Sequence, residues 1–181
     1  MNSFYSKEEL NNIGFKSIGN NVLLSRKTSI YSPENISLGN DVRIDDYCIL
    51  SGHIKIGNNV HIASYVALYG TFGIEIMDYC GVSAKSIIYS ATDDYGGNYL
   101  TNPTFPAETR NIISGKVVLE KHVIVGAGCI MMPNIILKEG TAVGTMSLVN
   151  KSTEAWSINI GIPAKKIRDR DKGLLRFTDF A

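Results

Sequence analysis

The sequence predicts an all-β chain wound as a parallel β-helix, on three observations. An aliphatic side chain recurs every six residues, a small or β-branched one often sits four places later, and glycine–asparagine pairs fall between them. From Leu38 the aliphatic series runs through Ile44, Leu50, Ile56, Ile62 and Leu68, with Val42, Cys48, Val60 and Val66 in the companion places. After a two-residue slip it resumes at Ile76, Val82 and Ile88. After a long interruption it returns at Leu119, Val125, Met131, Leu137, Val143 and Val149, and Ile18, Leu24 and Ile30 form an upstream trio. A period of six fits neither an amphipathic helix nor an alternating strand. It suits a chain that lays down a short strand, turns through about 120° and repeats, so that three faces close a triangular coil.

The elements follow in chain order. Ser6-Lys7-Glu8-Glu9 has capping-box spacing and Gly14 follows, predicting a short helix over 6–13. Coils occupy 18–90 and 117–152, and three hexads per coil give about five of them. In each hexad the first and fifth residues point inward. Gly and Asn take the corners in Ile18-Gly19-Asn20-Asn21, Leu38-Gly39-Asn40-Asp41 and Ile56-Gly57-Asn58-Asn59, because both tolerate positive φ cheaply. Residues 91–116, ATDDYGGNYLTNPTFPAETRNIISGK, break the hexads and leave the coil as an extruded loop, of a length that is uncommon without a function. A charged, partly apolar tail over 166–181 is expected to fold as a helix on the outside, completing one domain over 1–181. The alternative, a β-sandwich with a chance pattern, has to explain too many hexads in phase.

Composition narrows the function. Eighteen basic and seventeen acidic side chains leave a net charge of +1, no electrostatic footprint for nucleic acid or an anionic membrane face. Cys48, Cys80 and Cys129 are odd in number and far apart, so they read as small hydrophobes in a reducing compartment. No apolar run approaches the ~20 residues of a membrane span, and the polar amino terminus is no secretory signal. The expectation is a cytoplasmic protein without membrane insertion.

The hexads, the mid-chain loop and the closing Gly161-Ile162-Pro163-Ala164-Lys165-Lys166-Ile167-Arg168 come in an order that resembles the hexapeptide-repeat acyltransferase superfamily, nearest the maltose, galactoside and capsule or O-antigen sugar O-acetyltransferases. The resemblance implies left-handed winding, a homotrimer and acetyl-CoA as acyl donor, with no metal. It implies a cofactor cleft between neighbouring subunits, with Gly126, Ala127, Gly144 and Thr145 along the pantetheine arm. Lys151, Lys165 and Arg168 match the positions of cations for the phosphates of coenzyme A. The reaction implied is acetyl transfer to a hydroxyl of a sugar or polysaccharide precursor, with N-acetylation of a nucleotide-linked amino sugar as the alternative.

Acyl transfer to a hydroxyl needs a proton acceptor and a donor for the developing oxyanion. The family's loop histidine is missing here, and Asp93, followed by Asp94, stands at its position. Either carboxylate is a candidate base if its partner's charge and burial raise its pKa; the pair is equally suited to binding sugar hydroxyls or to making a turn. His61 ends the hexad Ile56-Gly57-Asn58-Asn59-Val60-His61, resembling the IGxxxH hexad of amino-sugar N-acetyltransferases, and is the third catalytic candidate. His53 and His122 are weaker ones. Tyr95, Tyr99 and Phe105 offer loop surfaces for a sugar ring. An amine acceptor is nucleophilic without a strong base, so the missing histidine shifts weight towards N-acetylation. A zinc carbonic anhydrase lacks its closely spaced histidine pair here. A non-catalytic sugar-binding or scaffolding trimer has no need of the cations suited to coenzyme A.

Overall fold

The computed structural model describes residues 3–180. The last residue of the expected tail, 181, and residues 1 and 2 of the expected domain lie outside the described residues. A short helix, Lys7–Asn12, starts at Ser6, whose side chain accepts from the Glu9 backbone N–H while the Glu9 carboxylate accepts from the Ser6 backbone. Its one buried side chain, Leu10, plugs the open end of the core.

From Ser17 the chain winds as a parallel β-helix of about seven turns. The second face shows every turn: Leu23–Leu24, Arg43–Ile44, His61–Ile62, Gly81–Val82, Ile124–Val125, Ala142–Val143 and Ser157–Gly161 pair in parallel, each with the next. The coils, numbered one to seven here, cover 17–31, 36–51, 54–69, 74–89, 117–132, 136–149 and 157–161. The expectation of about five coils undercounts for two physical reasons. The first trio is a full coil, joined by a 3-10 turn over Pro33–Asn35 that makes the step from Ile18 to Leu38 longer than three hexads. The last rung is entered through residues 150–156, which do not keep the six-residue step.

The series residues Leu24, Ile44, Leu50, Ile62, Leu68, Leu119, Val125 and Met131 are completely buried, and the companion places Val42, Cys48 and Val66 are too. The three cysteines are free and buried, and desolvation pushes their thiols up, Cys48 to about 11 and Cys80 to about 12. They pack as hydrophobes and are not nucleophiles at neutral pH.

The corners correct one expectation. In the Gly–Asn corners the positive φ falls on Asn21, Asp41 and Asn59, and none of Gly19, Gly39 and Gly57 has it. Those glycines are needed for close approach instead: a Cβ on Gly39 would stand 2.5 Å from the Gly57 carbonyl oxygen in the coil above. Beside them runs a polar ladder. The Asn20 N–H donates to Asn40 Oδ1 (2.9 Å), Asn40 N–H to Asn58 Oδ1 (2.9 Å) and Asn58 N–H to Asp78 Oδ1 (2.8 Å).

The tail is also corrected. Its first part is a strand, Ala164–Asp169, antiparallel to Ser157–Gly161, joined by a turn with a cis Ile162–Pro163 peptide; only Gly173–Phe180 is helical, as 3-10. The last coil would otherwise expose a row of unpaired backbone groups, and the returning strand satisfies them. Among the described residues, no helix is long and apolar enough to cross a membrane.

Gly39→Ala should therefore destabilise the fold by about 1–3 kcal/mol, since the methyl meets the Gly57 backbone as well as the Asn58 side chain. A lower urea midpoint at neutral pH measures it.

Candidate active site

Two surfaces meet at the corner between the second and third faces. The residue after each second-face strand forms a column up this corner: Asp45, Ala63, Ser83, Gly126 and Gly144, linked by Ala63 N–H to Val82 O (2.9 Å), Ser83 N–H to Val125 O (2.9 Å) and Gly126 N–H to Val143 O (2.8 Å). A Cβ on Gly126 would lie 2.6 Å from the backbone nitrogen of Thr145, so coil stacking alone demands that glycine. The same close stacking leaves Gly126 and Gly144 bare, with Ala127 and Thr145 beside them, while the Met146 side chain lies over Gly128 and that of Ile160 over Gly144. Above it the terminal hairpin sets Lys165 opposite Ile160 and Arg168 opposite Ile158. Lys166 is bound by Asp169 (2.8 Å) and Glu154 (2.7 Å), which hold its ammonium above the usual lysine range. Lys151, Lys165 and Arg168 are exposed, and among the described residues none has an acidic partner within 4.0 Å. Two exposed cations on the hairpin above the glycines, with Lys151 just past the third-face strand Leu148–Val149, fit a thin ligand with a phosphorylated end.

The loop leaves the fourth coil after Tyr89 as an antiparallel pair, Ala91–Asp93 against Ile112–Ser114. It separates the two aspartates. Asp94 Oδ1 accepts from Gly96 N–H (2.7 Å) and Oδ2 from Asn111 Nδ2 (2.8 Å); those bonds, the Asn111 one first, hold its carboxyl below the usual range. It ties the loop's two strands together, as an Asx turn does. Asp93 has one long contact, from Asn102 N–H at 3.3 Å, and lines an open cleft with Tyr89, Thr92, Tyr95, Ile130 and Met132. Tyr95 is 80% exposed, its hydroxyl 3.1 Å from Thr92 Oγ1. Tyr99 and Phe105 are exposed farther along the loop, away from the cleft lining.

His61 projects from the second face in the third coil, 2.8 Å through Nε2 from Asp45 Oδ2, while Arg43 Nε donates to Asp45 Oδ1 at 2.8 Å. Burial raises the pKa of the Asp45 carboxyl, but the bonds from His61 and Arg43 outweigh it and hold the group below the usual range. Among the described residues, the one hydrogen-bonding side chain at His61 is Asp45, and Asp93 does not reach it. His122 is buried at a corner, stacked on Tyr79 at 4.9 Å and packed towards Trp156, a structural position; burial lowers its pKa. His53 is exposed on the opposite side of the helix, beside Lys55 and Lys116. Sequence reasoning missed Asp45, Ser83 and Tyr89. Each follows an inward aliphatic (Ile44, Val82, Ile88), and writing the chain out coil by coil would have set Asp45 in the coil beneath His61.

Residues 35–70 match the family model described as bacterial transferase hexapeptide (six repeats). The chain is 46% identical over 176 residues, 96% of its own length and 92% of the relative's, to the dTDP-4-amino-4,6-dideoxy-D-glucose acyltransferase of Escherichia coli. AntD, an N-acyltransferase from Bacillus cereus solved with dTDP and 3-hydroxybutyryl-CoA, superposes with a TM-score of 0.98 at 51% identity, over 99% of this chain and 96% of that one. Variants of AntD at a serine and, ten positions on, at an aspartate have been solved with coenzyme A and either dTDP or dTDP-4-amino-4,6-dideoxyglucose. A maltose O-acetyltransferase from Clostridium difficile, 19% identical with a TM-score of 0.59 over 92% of this chain and 75% of that one, shares the fold alone.

Asp45 stabilises the folded state above the ordinary carboxylate pKa, and that contribution is lost as the pH falls through its lower folded value. Asp45→Asn should thus reduce stability by about 1–2 kcal/mol at neutral pH. The deficit should close as the pH falls through and below the ordinary carboxylate range, as read by urea unfolding against pH.

Proposed function

The chain belongs to the hexapeptide-repeat transferase family, and from that premise we propose that it transfers an acyl group from acyl-coenzyme A to the amino group of a nucleotide-linked 4-amino sugar. The observation that carries the reading is Asp93, the carboxylate that lines the loop's cleft, in a chain whose loop has no histidine. A hydroxyl acceptor must lose its proton as it attacks, which calls for a base such as the loop histidine that this chain lacks. An unprotonated amine attacks on its own and sheds its extra proton afterwards. The names of the E. coli relative and AntD agree with the amine, so the hydroxyl acceptor of the sequence reading gives way to its alternative.

In this reading Asp93 accepts a hydrogen bond from the sugar amine and aims its lone pair at the thioester carbonyl. The C–N bond forms, the C–S bond breaks, and the electron pair leaves with sulphur. Asp93 takes the surplus N–H proton and passes it to the departing thiolate, leaving amide and free thiol. Ser83 and Asp93 stand ten positions apart, the spacing of the serine and aspartate varied in AntD, which supports these two as the polar groups at the reaction centre over the engaged Asp94. Ser83 sits one coil beneath Gly126 and is suited to donate to the carbonyl oxygen as it gains charge. Tyr95 and Tyr89 give the sugar flat walls, with Tyr99 farther along the loop. Gly126, Ala127, Gly144 and Thr145 form the strip for the pantetheine arm, and Lys151, Lys165 and Arg168 take its phosphates. His61, oriented by Asp45, borders the acceptor side in this scheme and is not the base. A homotrimer completes each cleft from a neighbouring chain, and the cytoplasm, where both substrates are made, is its setting.

Purified protein given acetyl-CoA and dTDP-4-amino-4,6-dideoxyglucose should release thiol and form the amide, with no transfer to maltose. Transfer to hydroxyl sugars but not to the amine would overturn the reading. Asp93→Asn should reduce kcat/KM by about 10²-fold or more, while His61→Asn changes it by less than about tenfold. Lys151→Ala with Arg168→Ala should weaken coenzyme A binding about tenfold or more in calorimetry, leaving dTDP affinity unchanged.

A further inference from the structure

The corner that carries the glycine strip in its upper coils carries aromatic rings in its lower ones. Tyr47 in the second coil and Tyr65 in the third stack at 5.0 Å between centroids, tilted by 23°. Both have positive φ, 61° and 63°, a backbone region that disfavours bulky side chains. The neighbouring corner also holds rings at positive φ, Tyr79, His122 and Trp156, but those rings pack on one another and His122 is buried. Tyr47 and Tyr65 remain 48% and 54% exposed, so packing does not account for them.

The stack has a closed end and an open one. Below, the Lys27 ammonium lies 5.2 Å from the Tyr47 ring centre and is paired with Asp46. Above Tyr65 the next corner residue is Lys85 in the fourth coil, where no ring continues the ladder. Among the described residues Lys85 has no acidic partner within 4.0 Å. Lys85 is two residues from Ser83 and on the coil from which the Asp93 loop departs. From the open end of the stack, then, the surface runs from a flat aromatic platform to an unpaired cation to the proposed reaction centre.

We propose that Tyr47 and Tyr65 form the nucleobase subsite of the acceptor, with Lys85 taking the diphosphate. This rests on the nucleotide-sugar reading above and deepens it by assigning the nucleotide to the lower corner. The order of groups in a nucleoside diphosphate sugar, base then phosphates then sugar, matches the order Tyr65, Lys85, Asp93. Stacking is indifferent to which ring edge is presented, so this subsite selects a planar base and leaves discrimination among pyrimidines to other groups. Donor and acceptor then approach from opposite ends of the helix and meet under the loop that leaves the fourth coil.

The test is calorimetry with dTDP and with thymidine on the full chain, with assembly state followed by light scattering. Tyr65→Ala should weaken dTDP affinity about tenfold or more, and Tyr65→Phe should stay within about twofold. Lys85→Ala should weaken dTDP but leave thymidine unchanged, and coenzyme A affinity should hold in all three variants. Saturable binding of dTDP by the parent protein with Tyr65→Ala unchanged would overturn this assignment alone. So would a Tyr65→Ala variant whose defect is a change of assembly state with dTDP affinity retained. No dTDP binding by a parent protein that binds coenzyme A would overturn the acceptor reading itself.

Discussion

Each coil must lie directly on the one below, because the backbone groups of its short strands find their partners only there. That single demand sets most of the sequence. The coil-to-coil spacing is the strand spacing of a sheet, roughly 4.8 Å, and at the Gly39 and Gly126 corners it leaves no room for a Cβ. Inside, the series aliphatics and their smaller companions fill the triangle, and outside, side chains in the same place on successive coils become neighbours. Any property needed along the axis is therefore written at intervals of one coil: amides in the Asn20, Asn40, Asn58 ladder, rings in Tyr47 and Tyr65, bare backbone in Gly126 and Gly144.

A surface so regular has no concavity of its own, and chemistry depends on the places where regularity is given up. The long excursion after Tyr89 is one, and it brings Asp93 over coils five and six without disturbing the rungs beneath, since Ile88 still pairs with Met131. The terminal hairpin is the other. It closes the last rung and in doing so carries Lys165 and Arg168 to the top of the glycine strip. Edge protection and cation placement are thus one structural act.

The fold was legible because burial repeats with a period that no other architecture has, and a repeat is readable residue by residue. Coil number was less so: the Pro33–Asn35 turn and residues 150–156 change the step without changing the architecture. The role of the corner glycines was misjudged, since sequence shows a small residue but not whether φ or a neighbouring backbone requires it. In the site, Asp93 and Asp94 are chemically identical in sequence. They part only when Asn111, which lies across the loop's antiparallel strands, claims one of them. Asp45 was invisible because its meaning is a contact with the next coil, and composition around Ile44 gives no hint of His61.

The choice between amine and hydroxyl turns on that parting. An aspartate bound at both oxygens has its pKa driven down and makes a poor proton acceptor, which is the condition of Asp94. Asp93 instead faces the cleft, where Tyr89, Thr92 and Tyr95 supply surface and hydrogen-bonding groups and no negative charge. In the proposed reading the site holds a nucleophile that is already competent and collects its proton late. Such a site gains selectivity from where it holds the acceptor more than from how strongly it activates it. A long nucleotide handle gripped away from the reacting nitrogen is the kind of acceptor from which such a site draws its rate.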